Sequence, residues 1–139
     1  MGESDRPPRG TTILIVEHDY LTATTLQHGL IAAGYDVQRA TSANEAIATL
    51  ESTQADLILI GLMLPDADGL ILCSMLKARY PAPIIVLSSC ASDVDRALAL
   101  ECGALDLLTT PFDLDEVLAQ VSSVVSAVSG ARTGAARSG

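Results

Sequence analysis

Asp56-Leu57-Ile58-Leu59-Ile60-Gly61-Leu62-Met63-Leu64-Pro65-Asp66-Ala67-Asp68-Gly69 is the stretch on which the reading of this chain turns. Its apolar run, Leu57–Ile60, contains only Leu and Ile. That is the composition of a strand covered on both faces, as in a parallel sheet. Asp66 and Asp68 are loop carboxylates of the kind that shape a turn ahead of Gly69.

On either side of this stretch, short apolar runs alternate with helical patterns. Strands are expected at Thr12–Val16, Tyr35–Ala40, Ile84–Leu87 and Ala104–Leu108. Helices are expected from Tyr20 to Ala33, from the capping box at Ser42-Ala43-Asn44-Glu45 to Leu50, over Leu70–Arg79, over Ser92–Glu101, and from Asp113 to about Val128. Gly34 and Gly103 stand where left-handed helix stops are needed. Five β–α repeats predict a parallel sheet with helices on both faces, and right-handed crossovers leave only a few doubly wound forms. The functional crevice of such a sheet lies at the carboxyl ends of its strands. Those ends are Glu17-His18-Asp19, Gly61, Ser88-Ser89 and Thr109-Thr110.

With 139 residues and 49% of them apolar, the chain reads as one domain with a sizeable core. Residues 1–10 and 130–139 are rich in Gly, Pro, Ser and Arg and read as flexible ends around a folded body at 11–129. The second of them also reads as the start of an interdomain linker. The whole chain carries −9, but residues 11–128 hold 15 of the 17 acids and 4 of the 8 bases, a net of −11. That surface repels phosphate backbones, so any DNA contact is expected only through a domain outside this chain. No apolar stretch reaches the ~18 residues of a membrane span, and the polar N-terminus lacks a signal-peptide core. Cys73, Cys90 and Cys102 fit neither a zinc site nor a disulfide framework. They read as free thiols of a cytoplasmic protein.

Four landmarks in order give the chain a family resemblance. They are Ile13-Leu14-Ile15-Val16-Glu17, Leu62-Met63-Leu64-Pro65-Asp66-x-Asp68-Gly69, Val86-Leu87-Ser88-Ser89, and Gly103-Ala104-x-Asp106-x-Leu108-Thr109-x-Pro111-Phe112. From Thr12 to Val128 the chain resembles the receiver domains of bacterial response regulators. The resemblance implies a flavodoxin-like, doubly wound, five-stranded parallel sheet of order 2-1-3-4-5 with five helices. It also implies a phosphorylation pocket, whose residues carry over one by one. Gly61 stands where the family has the aspartate that accepts the phosphoryl group. Glu17 takes the first of two acidic positions that hold Mg²⁺, and His18 takes the second, although imidazole is a poor ligand for that hard cation. The Met63 carbonyl is expected to point at the site, and Ser88 matches the hydroxyl that contacts the phosphoryl oxygen. Thr110 replaces the lysine that pairs with the phosphoryl charge. Leu107 replaces the aromatic that switches rotamer.

These departures agree with one another. Without the carboxylate at 61 the lysine has no charge to pair, and a tight cluster of acids without a cation is costly. The expectation is a receiver that is not an enzyme, holds no metal or cofactor, and signals independently of phosphorylation, as the N-terminal part of a DNA-binding regulator. Two rivals stand beside it. One is a sensor that binds a small molecule in the vestigial pocket around Gly61, His18 and Ser88. The other is a stand-alone adaptor acting through protein partners. His18 reads either as a pH- or ligand-sensitive group beside Glu17 and Asp19 or as an ordinary exposed loop histidine. His28 reads as a surface residue.

No Gly-rich loop follows the first strand, so dinucleotide and P-loop functions are excluded, and Ser88-Ser89-Cys90 has no triad partners at recognisable spacing. The family's dimer face lies on the fourth helix, fifth strand and fifth helix. There Leu105 replaces a usual acid and Gln120 a usual arginine. The last helix carries Leu114, Val117, Leu118, Val121, Val124, Val125 and Val128, a stripe wider than the ~100° one core contact needs. The wide stripe reads either as a broad core face with some ordinary exposed valines or as an interaction face, for a homodimer or another protein, at Leu105, Leu107, Val117, Gln120 and Val124, with Val117 and Val124 as its apolar contacts.

Overall fold

The computed structural model describes residues 10–89, 92–109 and 113–138, with side chains to 127. Its elements run β1 (Thr12–Val16), α1 (Tyr20–Ala32), β2 (Asp36–Ala40), α2 (Ala43–Ser52), β3 (Leu57–Gly61), α3 (Gly69–Arg79), β4 (Ile84–Ser88), α4 (Asp93–Glu101), β5 (Asp106–Thr109) and α5 (Leu114–Ser138). The strands form one parallel sheet of order β2-β1-β3-β4-β5, a doubly wound, flavodoxin-like arrangement.

Strand periodicity divides the core in two. Leu14, Val16, Ile58, Ile60, Ile84, Val86 and Leu107 point to one face, where they meet Ala46 of α2, Leu72 and Leu76 of α3 and Ala99 of α4. Ile13, Ile15, Leu57, Leu59, Ile85, Leu87 and Leu108 point to the other, against Leu26 and Leu30 of α1 and Val117, Val121 and Val125 of α5. Alternate residues of one strand therefore both need apolar side chains, which is why the runs are unbroken. Each such aliphatic side chain contributes about 1.5–3 kcal/mol when removed from water.

The helix boundaries follow local chemistry. Asp19, Ser42, Asp68 and Ser92 cap α1, α2, α3 and α4 with side-chain oxygens. Gly34 and Gly103 both have φ of 101°, which a side chain would strain. β5 starts two residues later than expected, because the Ala104 amide still donates to Ala99 of α4 (3.0 Å). α5 runs ten residues past Val128, where a flexible end was expected from residue 130. The added segment contains no proline, and Gly130 and Gly134 cost only about 1 kcal/mol each in a helix already nucleated. Among the described residues no helix is long and apolar enough to cross a membrane.

Candidate functional site

The carboxyl ends of β1, β3 and β4 open onto a cavity of about 380 Å³. Glu17, His18 and Asp19 follow β1, Met63 comes from the loop after β3, and Ser88 and Ser89 come from the end of β4. The sheet thus brings together the expected Glu17, His18, Met63 and Ser88 around Gly61. Thr110 lies outside the described residues.

Glu17 is buried, with 9% exposure, and Gly61 is buried beside it. A Cβ placed on Gly61 would lie 2.5 Å from Glu17 Oε1, 3.1 Å from its Cδ and 3.4 Å from Oε2. The Glu17 carboxylate therefore occupies the space that a side chain at 61 would take. Its Oε2 accepts the Asp19 amide at 2.9 Å and lies 3.3 Å from His18 Nδ1. A buried carboxylate needs such partners to offset lost hydration. The His18 ring is half exposed, and His28 is exposed on α1. Ser88 is buried at the floor. Met63 extends an exposed side chain at the rim, 74% accessible.

Three aspartates stand in the loops after β1 and β3, of which Asp19 lines the cavity, and each accepts amide hydrogens. Asp19 Oδ2 takes the Thr22 hydroxyl (2.7 Å) and the Thr22 amide (2.9 Å). Those bonds, the hydroxyl's first, hold its carboxyl below the usual aspartate range. Asp68 caps α3 through the Leu70 amide (2.7 Å), the turn-shaping role expected of it. Asp66 does more than shape its turn. Its two oxygens reach the Ala43 amide (2.8 Å) and the Asn44 amide (2.9 Å), tying the loop after β3 to the N-terminus of α2. The Asn44 bond, followed by that of Ala43, lowers its pKa from an ordinary value of 3.8. Nothing in the local sequence around Asp66 could signal a partner 22 and 23 residues away.

A folded-state pKa below the unfolded one contributes stability that is full above the unfolded value and is lost as pH falls through the folded value. Asp19 and Asp66 should therefore stabilise the domain at neutral pH and stop doing so below about pH 3.8. Melting temperature measured across that range should fall more steeply in wild type than in Asp66→Asn, which cannot titrate there. Parallel curves would show that the Asp66 cap carries no charge-dependent stability.

The outer face differs from expectation at two positions. Leu107 and Val117 are fully buried, on opposite sides of the sheet, and cannot contribute to an interaction face. Val124 is half-buried against the same core as Val117. The rotation of α5 brings Leu114 against Gly29 of α1, where an added Cβ would lie 2.9 Å from both Leu114 methyl carbons. Leu114 leans into that gap, and Val117, Val121 and Val125 become the buried spine at spacing i, i+4, i+8. Leu105 is exposed, as expected, and Val94 and Leu98 are exposed apolar side chains of α4, the helix that packs on β5. Gln120 Nε2 donates to Asp106 Oδ2 (3.0 Å), and Arg96 Nη1 donates to Asp106 Oδ1 (2.6 Å). The Asp106 charge is thus paired within the chain.

A doubly wound parallel sheet with a buried acid, a hydroxyl and a loop aspartate at the crevice is the architecture of a receiver-type signalling domain. The chain belongs to the response regulator receiver domain family, which it matches over residues 13–122. The receiver domain of the Francisella response regulator 1452 shares 28% identity and a TM-score of 0.81, over 86% of this chain and 99% of that one. The BeF3-activated N-terminal receiver domain of Klebsiella pneumoniae RstA shares 30% identity at a TM-score of 0.79, over 83% and 98%. The receiver domain of a signal transduction histidine kinase from Syntrophus aciditrophicus shares 33% identity at 0.78, over 86% and 92%.

Proposed function

We propose that this receiver domain signals without accepting a phosphoryl group and without catalysing its own modification. One observation carries the reading. The carboxylate of Glu17, supplied by the end of β1, stands in the space of the side chain that Gly61 lacks. A nucleophile on β3 is absent, and the acid that would help to hold Mg²⁺ is turned into its place. Phosphoryl transfer depends on nucleophile, metal and counter-charge acting together. Here the other two are weakened as well, by His18 in the second acidic position and Thr110 in place of the lysine.

Incubation with acetyl phosphate and Mg²⁺ should leave the intact mass unchanged. Beryllofluoride with Mg²⁺ should not shift the melting temperature. A stable phosphoryl adduct mapped to a carboxylate of this pocket would overturn the reading.

Output then rests on a standing protein surface. The exposed apolar group Val94, Leu98 and Leu105, beside the internally paired Asp106, supports association by apolar contact, as a homodimer or with a protein partner. A DNA-binding output belongs to a domain outside this chain, in the cytoplasmic setting expected of two-component signalling.

A second reading draws support from the size of the cavity. A small molecule held by Glu17 and Ser88 takes the place of phosphate as the input. A thermal-shift screen of small metabolites tests it, and a screen in which none raises the melting temperature removes it.

A further inference from the structure

Cys73 and Cys102 are 29 residues apart in sequence, yet the fold places them together. Cys73 is fully buried on α3, and its Sγ–H donates to the Cys102 carbonyl oxygen at 3.6 Å. That oxygen is two bonds from the Cα of Cys102, a half-buried residue that caps the end of α4. Both thiols are free. Lys77, one turn beyond Cys73 on α3, lays its stem across the next residue. A Cβ on Gly103 would meet Lys77 Cγ at 2.8 Å. Two thiols and the Lys77 stem therefore share the junction of α3 with the end of α4, while the Lys77 ammonium donates to the Pro81 and Ala82 carbonyls.

We infer that Cys73 and Cys102 form a thiol–disulfide exchange site, which accepts a low-molecular-weight disulfide such as oxidised glutathione and closes to an intrachain bond. Access decides the order of events. Cys102 reaches solvent, so its thiolate attacks one sulfur of the incoming disulfide. The sulfur–sulfur bond breaks, and one glutathione thiolate leaves and takes a proton from water. A local opening that admits water lets Cys73 lose its proton, and its thiolate attacks the Cys102 sulfur, expelling the second glutathione as a thiolate that takes up a proton. Two protein thiols are oxidised and one glutathione disulfide is reduced to two thiols. Burial pushes the Cys73 thiol up to about 11, with Cys102 adding to that rise and Lys77 opposing it. Cys73 therefore suits the slower, resolving role, since only the thiolate attacks. Closing the bond requires both side chains to turn among staggered rotamers until the two sulfurs meet. The closed bond would fasten the C-terminal end of α4, the helix that carries Val94 and Leu98, to the middle of α3.

The test uses the full chain, incubated anaerobically with oxidised glutathione, blocked with N-ethylmaleimide, and read by intact mass and peptide mapping. Wild type should lose two hydrogens and yield one peptide pair joined through Cys73 and Cys102. Cys73→Ala should stop at a single glutathione adduct on Cys102, and Cys102→Ser should leave Cys73 unmodified. Wild type and Cys102→Ser suffice if Cys73→Ala does not fold. The inference is wrong if wild type accumulates the Cys102 adduct without closing, if neither thiol reacts, or if the bond formed involves Cys90.

Discussion

Val117→Ser should melt on the order of 10 °C below wild type, a loss of about 3 kcal/mol for a domain of this size. Val117 is fully buried between α5 and the sheet, in the cluster with Leu30 and Val121. Serine there removes two methyl groups, leaves a cavity and buries a hydroxyl. The contrasting variant is Leu98→Ser/Leu105→Ser. These side chains are 43% and 53% exposed, so their replacement should change stability little, by roughly 0.5 kcal/mol each. It should weaken association through the α4–β5 face by a large factor. High salt should not weaken that association, because screening acts on exposed charge pairs and not on apolar burial. Thermal denaturation and sedimentation at low and high salt separate the two variants. A Val117→Ser protein that keeps its melting temperature but loses a dimer would place the interface on α5 after all.

Gly61→Asp alone should gain no phosphoryl group, and it should cost stability. The new Cβ would enter the space of Glu17 Oε1, so the Glu17 carboxylate must swing out and abandon the Asp19 amide. Two carboxylates would then share a buried corner, and like charges at that range resist joint ionisation. We expect a loss of roughly 1–3 kcal/mol from the displaced hydrogen bond and the repulsion. Adding His18→Asp and Thr110→Lys supplies a metal ligand and a counter-charge. The triple variant should take up phosphate from acetyl phosphate with Mg²⁺ at least ~100-fold faster than the single variant, the scale of losing a positioned charge in phosphoryl transfer. Intact-mass time courses measure both. Gly61→Ala is the steric control. It moves Glu17 without adding charge, so it should also lower the melting temperature and remain unphosphorylated. A single Gly61→Asp variant as fast as the triple one would mean that the pocket has kept its chemistry and lacks only the nucleophile.

Much of this molecule is determined by local sequence. The runs Thr12–Val16 and Leu57–Ile60 are strands where the sequence predicts them, because unbroken Leu, Ile and Val can be buried only between two helix layers. The capping residue Ser42 and the stops at Gly34 and Gly103 lie where they were expected, and Ser92, expected as the first residue of its helix, caps it instead, because each acts on its own few neighbours. The strand-end residues Glu17, His18, Gly61 and Ser88 meet in one crevice because parallel strands present their carboxyl ends on the same side.

Tertiary contact decided the rest. The stripe on α5 is wide enough to face the core in more than one rotation, and the rotation adopted seats Leu114 against Gly29, where a side chain would collide with it. That rotation buried Val117, which sequence alone had placed outside. Leu107 belongs to the interaction face that the sequence predicts, but its position in β5 turns it toward α4 and the core. The reach of Asp66 to the amides of α2 and the meeting of Cys73 with Cys102 depend on chain separations that no local pattern encodes. The sequence shows that position 61 has no side chain. Only the packed structure shows that the Glu17 carboxylate fills that space, because a flexible buried side chain settles where it finds room and a hydrogen-bond donor.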